Sequence, residues 1–321
     1  AINDHPDAVP AINALRPDIY VKGPDYATAQ DDITGRIDVE REAVERWGGR
    51  LHVTDDITFS SSRLINRHFA EHPANLRDYL TGARARDIGS QIDQALDRAA
   101  QMNVLLVGDL ILDEYLYVSP LGKPQKENII ATLLREREVF AGGIAAAANH
   151  VAGFVNTVTV LTLVGDDHGD SLAREAAASN VEIIALPAPG RPTTKKTRFV
   201  DPTYVRKLFE TYELDASPPP DDLRSQFDRP GSDLARRADV VIATDFGHGA
   251  IAPSTVGVLV EEAPFLAVNA QTNSANLGFN LVTRWPRADY VCIDAPEARL
   301  AVAEKYGDLD IIASRELPGR M

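Results

Sequence analysis

From residue 103 onward, short apolar runs repeatedly stop at a glycine or an acidic residue, and helical stretches separate several of them. "NVLLVGDLIL" (103–112), "TVTVLTLVGDD" (157–167), "VEIIALP" (181–187), "ADVVIATDFGHG" (238–249), "PFLAVNAQ" (264–271) and "ADYVCID" (288–294) are such runs. "GDSLAREAAASN" (169–180) and "STVGVLVEEA" (254–263) are helical spacers. Strands that are apolar throughout, alternating with helices, predict an α/β fold with a mostly parallel sheet covered on both faces. Ligands of such sheets sit beyond the carboxyl ends of the strands, so the polar residues that close each run are the candidates for chemistry.

Two segments break the alternation. Residues 114–140 and 193–214 read as extended, hairpin-like pieces and predict a small second sheet, a β lid. Residues 215–233, rich in Pro and Asp, read as an exposed loop. Upstream, residues 1–69 hold short β-like pieces around "DVEREAVERWGG", whose Gly48-Gly49 stops a helix. Residues 70–100 read as a helical connector, with Ile88, Ile92, Ala95, Leu96 and Ala99 forming one apolar stripe expected to pack on a neighbouring domain. The expected division is therefore 1–69, 70–100 and 101–321, which suits a length of 321 residues at roughly 150 per domain.

Lys plus Arg number 33 against 47 Asp plus Glu, a net charge of −14. That argues against nucleic acid or an anionic membrane as a partner, since both need a basic face. The one cysteine, Cys292, excludes a disulfide framework and fits a reducing cytoplasm. The seven histidines lack zinc-type spacing.

The residues that carry chemistry each have two readings. Gly142-Gly143, between a strand and an alanine-rich helix, permits either close approach of a ligand to backbone or close helix–sheet packing. Asp113 is either a sugar-hydroxyl acceptor or a strand-end turn residue, with Asp109 the weaker alternative. Lys196 and Arg198 share one face of a lid strand and either grip a sugar phosphate or protect a solvated edge. Asp294 and Glu297 have the spacing of a capping box. Ser60, Ser61 and Ser62 precede a helical "RLINRHF", where they serve a nucleotide phosphate or plain N-capping.

"VLLVGDLILDEY", "FAGGIAAAANHVA", "VTVLTLVGDDHGD", "PTTKKTRFV" and "ADYVCIDAPEARLA", in this order over roughly 103–321, resemble the ribokinase-like (PfkB) carbohydrate kinases, and among them the heptose-phosphate kinases of bacterial surface-sugar synthesis. The resemblance implies transfer of the ATP γ-phosphate to a sugar hydroxyl. It places Asp113, Gly142 and Gly143 on the sugar and Glu297, with Asp294, near Mg²⁺ and the ATP phosphates. It makes Asp245 of "TDFGHG", Asn149 and Asn269 further candidates for the sugar side. It also implies a sugar or sugar phosphate as ligand, and the exposed β lid suggests a homodimer. Ala146 stands where near relatives carry Asn, and Asn269-Ala270-Gln271 where they read Asp-x-Lys, so charge is removed from the sugar side. The family's "GAGD" loop, with the catalytic base, is expected beyond Met321, and residues 1–321 alone are expected to be inactive. The non-enzymatic alternative is a sugar-binding or assembly module on a kinase fold.

The first zone, "LRPDIYVKGPDY" and "ERWGGRLHVTDDITFSSSRLIN", resembles the C-terminal half of a cytidylyltransferase-like nucleotidyltransferase. That resemblance implies a CTP or ATP site approached by Lys22 and by Ser60, Ser61 and Ser62, with the "HxGH" motif expected upstream.

Overall fold

A computed structural model describes residues 7–23, 36–54, 73–122, 128–276 and 278–321. By its contacts the chain divides into two compact units, Ala1–Ile88 and Gly89–Met321.

In the first unit, helices α1 (Val9–Leu15) and α2 (Ile37–Glu45) accompany strands β1 (Ile19–Lys22) and β2 (Arg50–Val53). The strands pair in parallel, Ile19 opposite Arg50 and Lys22 opposite Val53. Ile12, Ala43 and Val44 form the small core, with Tyr20 packed against it. Glu40 is buried there and accepts hydrogen bonds from the Ala8 amide (2.9 Å) and the Tyr20 hydroxyl (3.1 Å). Helix α3 (Ala74–Ala85) follows.

Helix α4 (Ile88–Ala99) has the amphipathic pattern read from its sequence, yet buries none of its residues. Ile92 and Leu96 are exposed, so the expected packing of the stripe is not found among the described residues.

The second unit is α/β. Strands β3 (Asn103–Gly108), β6 (Thr157–Val164), β7 (Val181–Pro187), β10 (Val240–Asp245), β11 (Leu266–Ala270) and β12 (Tyr290–Val291) form a six-stranded sheet in the order β12-β11-β10-β3-β6-β7. Every pairing is parallel. Alternation along β3 sends Leu105 and Val107 into one apolar cluster and Val104 and Leu106 into the other. That period of two is why a wholly apolar strand must be covered on both faces. Helices α5 (Ile144–Ala152) and α6 (Asp170–Ala176) line one side; α7 (Asp221–Arg237), α8 (Pro253–Glu262) and α9 (Ala295–Val302) line the other.

Helix α7 overturns the loop expected over 215–233. Leu223, Phe227, Gly231 and Ala235 recur every fourth residue and are buried, and Asp221 and Asp222 complement the first turn. The helix even holds Pro230 in its interior. A buried stripe outweighed the Pro and Asp content, which concentrates at the helix entry and on its wet face.

The second sheet is present as expected. Strands β4 (Leu110–Gly122), β5 (Ala131–Gly143), β8 (Thr194–Asp201) and β9 (Arg206–Glu213) pair in the order β5-β4-β8-β9. Its β4–β8 pairing is parallel and the two outer pairings are antiparallel.

Candidate functional site

Strand register decides which lid side chains meet. Asp113 stands opposite Lys196 on β8, and Lys196 opposite Tyr212 on β9. Two residues along, Tyr115 stands opposite Arg198 and Arg198 opposite Glu210. Period-two alternation puts all six on one face of the lid. There Arg198 forms an ion pair with Asp113, its Nε lies 3.8 Å from Glu210, and its guanidinium lies 5.1 Å from the Tyr115 ring centre. Lys196 reaches Glu210 at 3.4 Å and sits 4.8 Å from the Tyr212 ring centre. Partial burial pushes the Glu210 carboxyl up, but the Tyr212 hydroxyl and the Lys196 and Arg198 cations outweigh it and hold the acid below its usual range. The other face carries separate pairs, Lys195 with Glu213 at 2.7 Å and Glu114 with Arg137 and Thr197.

Gly142 and Gly143 close β5 and open α5, as read. A Cβ on Gly142 would overlap the Asp113 carboxylate. At Gly143, φ is +57°, and a Cβ would lie 2.5 Å from the Asp109 carbonyl oxygen. Backbone crowding and a left-handed φ both demand glycine there. The pair is small because Asp113 and the Asp109 backbone press on it.

Asp109 links the lid to the main sheet. Its carbonyl accepts from the Ile144 amide (3.0 Å) at the start of α5. Its buried carboxylate accepts from the amides of Phe246 (3.0 Å), His248 (3.2 Å) and Ala250 (2.9 Å) in the loop after β10. Burial raises this acid despite the three amides and Arg284. Asp245, at the end of β10, is also buried. It accepts from Asn280 (3.0 Å), Trp285 Nε1 (3.1 Å) and its own loop at Gly247 (3.2 Å), and pairs with Arg284 at 3.2 Å. Burial pushes it up as well, with Asp109 adding to the rise and Arg284 opposing it. A carboxylate so committed organises the loop from beneath.

The loop brings His248 against the lid. Its ring centre is 6.5 Å from that of Tyr212, edge to face, and 6.3 Å from that of Phe246. Burial, with the nearby Lys196 charge, lowers the His248 pKa even though Asp245 favours the cation. Lid and loop together border a small cavity of about 30 Å³, among whose walls are Asp109, Arg191, Thr193, Asp215 and His248.

The remaining candidates lie elsewhere. The Asn149 amide donates to the Ala176 carbonyl (2.9 Å) and its oxygen accepts from Ala178 (2.9 Å), tying α5 to the end of α6. Asn269 donates to the Cys292 carbonyl (2.7 Å) and bridges β11 to the end of β12. Asp294 and Glu297 form a complete capping box on α9. The Asp294 side chain accepts from the Glu297 amide (2.7 Å) and the Glu297 side chain from the Asp294 amide (2.8 Å). The second Glu297 oxygen accepts from Thr272 at 2.9 Å. Three of the four carboxylate oxygens of the pair thus accept from backbone amides. Among the described residues no group of three or more His, Cys, Asp or Glu is placed to hold a metal ion. In the first unit, Lys22 pairs with the buried Glu40 at 2.7 Å. Burial lowers its pKa but the Glu40 and Tyr20 partners prevail and raise it. Ser60, Ser61 and Ser62 lie outside the described residues.

Sequence reasoning missed His248 and the clamping role of Asp109. A Gly-Asp at the end of β3 was the only signal for the second, and nothing local announces the first.

No protein-family model matches the chain. Among curated proteins it is similar to "Bifunctional protein HldE" of Rhodopseudomonas palustris (strain BisB5), 29% identical over 178 residues, 54% of this chain and 36% of that protein. The same-named protein of Bradyrhizobium sp. (strain ORS 278) is 31% identical over 163 residues, 50% of this chain and 33% of that protein. The matched part is thus about a third of the length of these relatives. Among solved structures, a carbohydrate kinase from Agrobacterium tumefaciens aligns with a TM-score of 0.47 at 20% identity over 63% of this chain and 64% of that one. Phosphofructokinase-2 from Escherichia coli, in its tetrameric inhibited form, aligns with a TM-score of 0.48 at 12% identity over 68% of this chain and 70% of that one. No described helix is long and apolar enough to cross a membrane.

Proposed function

We propose that residues 101–321 carry the sugar side of an ATP-dependent carbohydrate kinase whose substrate is a sugar or sugar phosphate of the heptose type. The observation that carries this reading is the lid face. Asp113 and Arg198 form an ion pair against Gly142, with Lys196, Glu210 and Tyr212 in register beside them. Asp113 accepts hydrogen bonds from vicinal hydroxyls, and the glycine pair leaves room for its carboxylate beside the backbone. Arg198 and Lys196 face anionic oxygens, which they attract in a chain otherwise strongly acidic. A lid of this kind excludes water and holds the reacting hydroxyl in place, which is most of what phosphoryl transfer asks of a protein. The named similarity to a bifunctional protein supports the reading, as does the order of motifs from "VLLVGDLILDEY" to "ADYVCIDAPEARLA". Residues 1–69 belong, on this reading, to a nucleotidyltransferase with Lys22 near its CTP or ATP.

Calorimetry with a heptose phosphate and the matching free heptose tests the lid. Arg198→Ala should weaken the phosphorylated ligand by about 1.5–3 kcal/mol, the range for a charge-assisted hydrogen bond, and the free sugar much less. Equal weakening of both sinks the phosphate-gripping role. The lid also leaves Ile130, Leu133, Leu134 and Phe209 exposed, and the partner proposed for it is a second copy of this chain. Sedimentation showing a monomer at micromolar concentration would refute that part.

One observation favours the non-catalytic alternative, a sugar-binding or assembly module. The Glu297 carboxylate, the expected organiser of Mg²⁺, is committed to backbone amides. Because the catalytic base is expected beyond Met321, incubation with ATP, Mg²⁺ and a heptose phosphate separates the two in a chain that carries a "GAGD" loop after residue 321. Phosphorylated product there supports the kinase, and binding without turnover supports the module.

A further inference from the structure

Three side-chain polar atoms are buried without a hydrogen-bond partner among the described residues: Arg198 Nε, Thr244 Oγ1 and His248 Nδ1. Arg198 lies on the lid face that carries Lys196 and Tyr212, and His248 lies in the loop that meets it. An unmatched buried donor costs about 1–3 kcal/mol, and His248 lines the small cavity that lid and loop border, so its ring nitrogen asks for a partner there.

The tautomer of His248 follows from its neighbour. The Asn273 side-chain oxygen accepts from the amides of Ala275 (2.9 Å) and Asn276 (3.2 Å), which fixes the orientation of the side-chain amide. Its nitrogen therefore points the other way and donates one hydrogen to the Phe246 carbonyl (2.8 Å). The second hydrogen is directed at His248 Nε2, 3.3 Å away. Nε2 must accept, so in the neutral ring the proton sits on Nδ1. Protonating Nε2 as well would set donor against donor at Asn273. The loop thus holds a neutral imidazole with its one N–H directed at no protein acceptor among the described residues.

We propose that His248 is a specificity residue of the sugar site whose Nδ1–H donates to a hydroxyl oxygen of the bound sugar. This rests on the sugar-site reading above and deepens it. A hydroxyl fits better than a phosphate. A phosphate dianion beside the ring would favour the imidazolium, which Asn273 opposes, whereas a neutral acceptor leaves the tautomer undisturbed. Anionic oxygens instead fall to Arg198 and Lys196 on the lid face.

Long-range ¹H–¹⁵N spectra of the ¹⁵N-labelled chain, with and without a saturating heptose or heptose phosphate, test the proposal. They should show His248 as the Nδ1–H tautomer, with its Nδ1 proton shifting on addition of either sugar. An Nε2–H tautomer, or an Nδ1–H that does not respond while the sugars bind, overturns it. Calorimetry on two variants gives a second readout. His248→Leu removes the donor and should weaken the free and the phosphorylated heptose alike, by about tenfold. His248→Asn keeps an N–H near the Nδ1 position and should stay within about threefold of the parent. Equal loss in both variants marks packing and overturns the proposal, as does a loss confined to the phosphorylated sugar or no loss in either. If His248→Leu does not fold, the spectra and His248→Asn still decide. A parent chain that binds neither sugar refutes the sugar site itself, and the hydroxyl role falls with it.

Discussion

Asp109 and Asp113 stand four residues apart, one just beyond a strand of the parallel sheet and the other inside the lid, and their carboxylates have opposite surroundings. Asp109 is buried and receives three backbone amides of the loop after β10. Asp113 is partly exposed and pairs with one cation, Arg198. The same contrast runs through the two sheets. The acids at the strand ends of the parallel sheet are buried among backbone amides, Asn280, Trp285 and Arg284, whereas the lid pairs charge with charge nearer solvent. A buried carboxylate with every donor satisfied builds a loop. A half-exposed one with one movable partner can exchange that partner for a ligand.

The largest effect should come from removing the clamp. Asp109→Ala leaves the amides of Phe246, His248 and Ala250 without their acceptor and should cost about 3 kcal/mol or more in urea unfolding. Asp113→Ala should cost about 1 kcal/mol or less, yet abolish the preference for phosphorylated over free sugar by releasing Arg198. If both aspartates cost the same in stability, the contrast between the sheets fails.

Next come the glycines. Gly143→Ala forces a side chain into φ +57° and against the Asp109 carbonyl, and should cost about 2–3 kcal/mol. Gly142→Ala has no positive φ to strain, but its methyl displaces the Asp113 carboxylate. It should therefore lose sugar binding out of proportion to stability, measured by the same titrations.

The pH dependence sharpens the comparison by sign. His248 has its pKa lowered, chiefly by burial, from an ordinary 6.5. Above about 6.5 neither state carries its proton. As pH falls below that value the unfolded chain is protonated first, so stability declines through the window down to the lowered folded value. Asp109 and Asp245 are raised by burial, and their contribution has the opposite sign. It is present below the ordinary 3.8 and is lost as pH rises through their folded values. Urea unfolding between pH 5 and 7 should show the decline, and His248→Leu should flatten it.

The smallest effect is reserved for the other face of the lid. Lys195→Ala breaks an exposed pair with Glu213 and should change stability by less than about 0.5 kcal/mol, with sugar binding unaltered. A marked loss of binding would mean that the ligand lies on the wrong face.

Much of this arrangement was legible in the chain. The strand-end positions of Gly142-Gly143 and Asp245 were readable because apolar runs and glycines are local signals, whereas Asp113, read as a possible strand-end turn, lies inside β4, where it pairs with β5 and β8. The shared face of Lys196 and Arg198 was readable too, since alternation needs only sequence spacing. The capping box at Asp294 and Glu297 was equally local, and the structure contains it in full. Residues 221–237 were not legible as a helix, because Pro and Asp pointed to a loop while Leu223, Phe227, Gly231 and Ala235 found a core to bury against. The partners of Asn149 and Asn269 were also out of reach, since each bonds to a segment more than twenty residues away.

By itself the sequence determined the α/β alternation, the interruption by a lid, and the residue types at each strand end. Those depend on periodicity and on glycine, which act within a few residues. Only the tertiary structure decided which carboxylates are buried under backbone amides and which stay partly exposed beside a cation. Asp109 turns under the loop after β10 because amides 137 to 141 residues away arrive there. Asp113 meets Arg198 because β4 and β8, 85 residues apart, pair in parallel at one register. A shift of that register by one residue would send Arg198 to the opposite face. Burial and long-range pairing set whether a charge is scaffold or site, and neither is written in the neighbourhood of the residue that bears it.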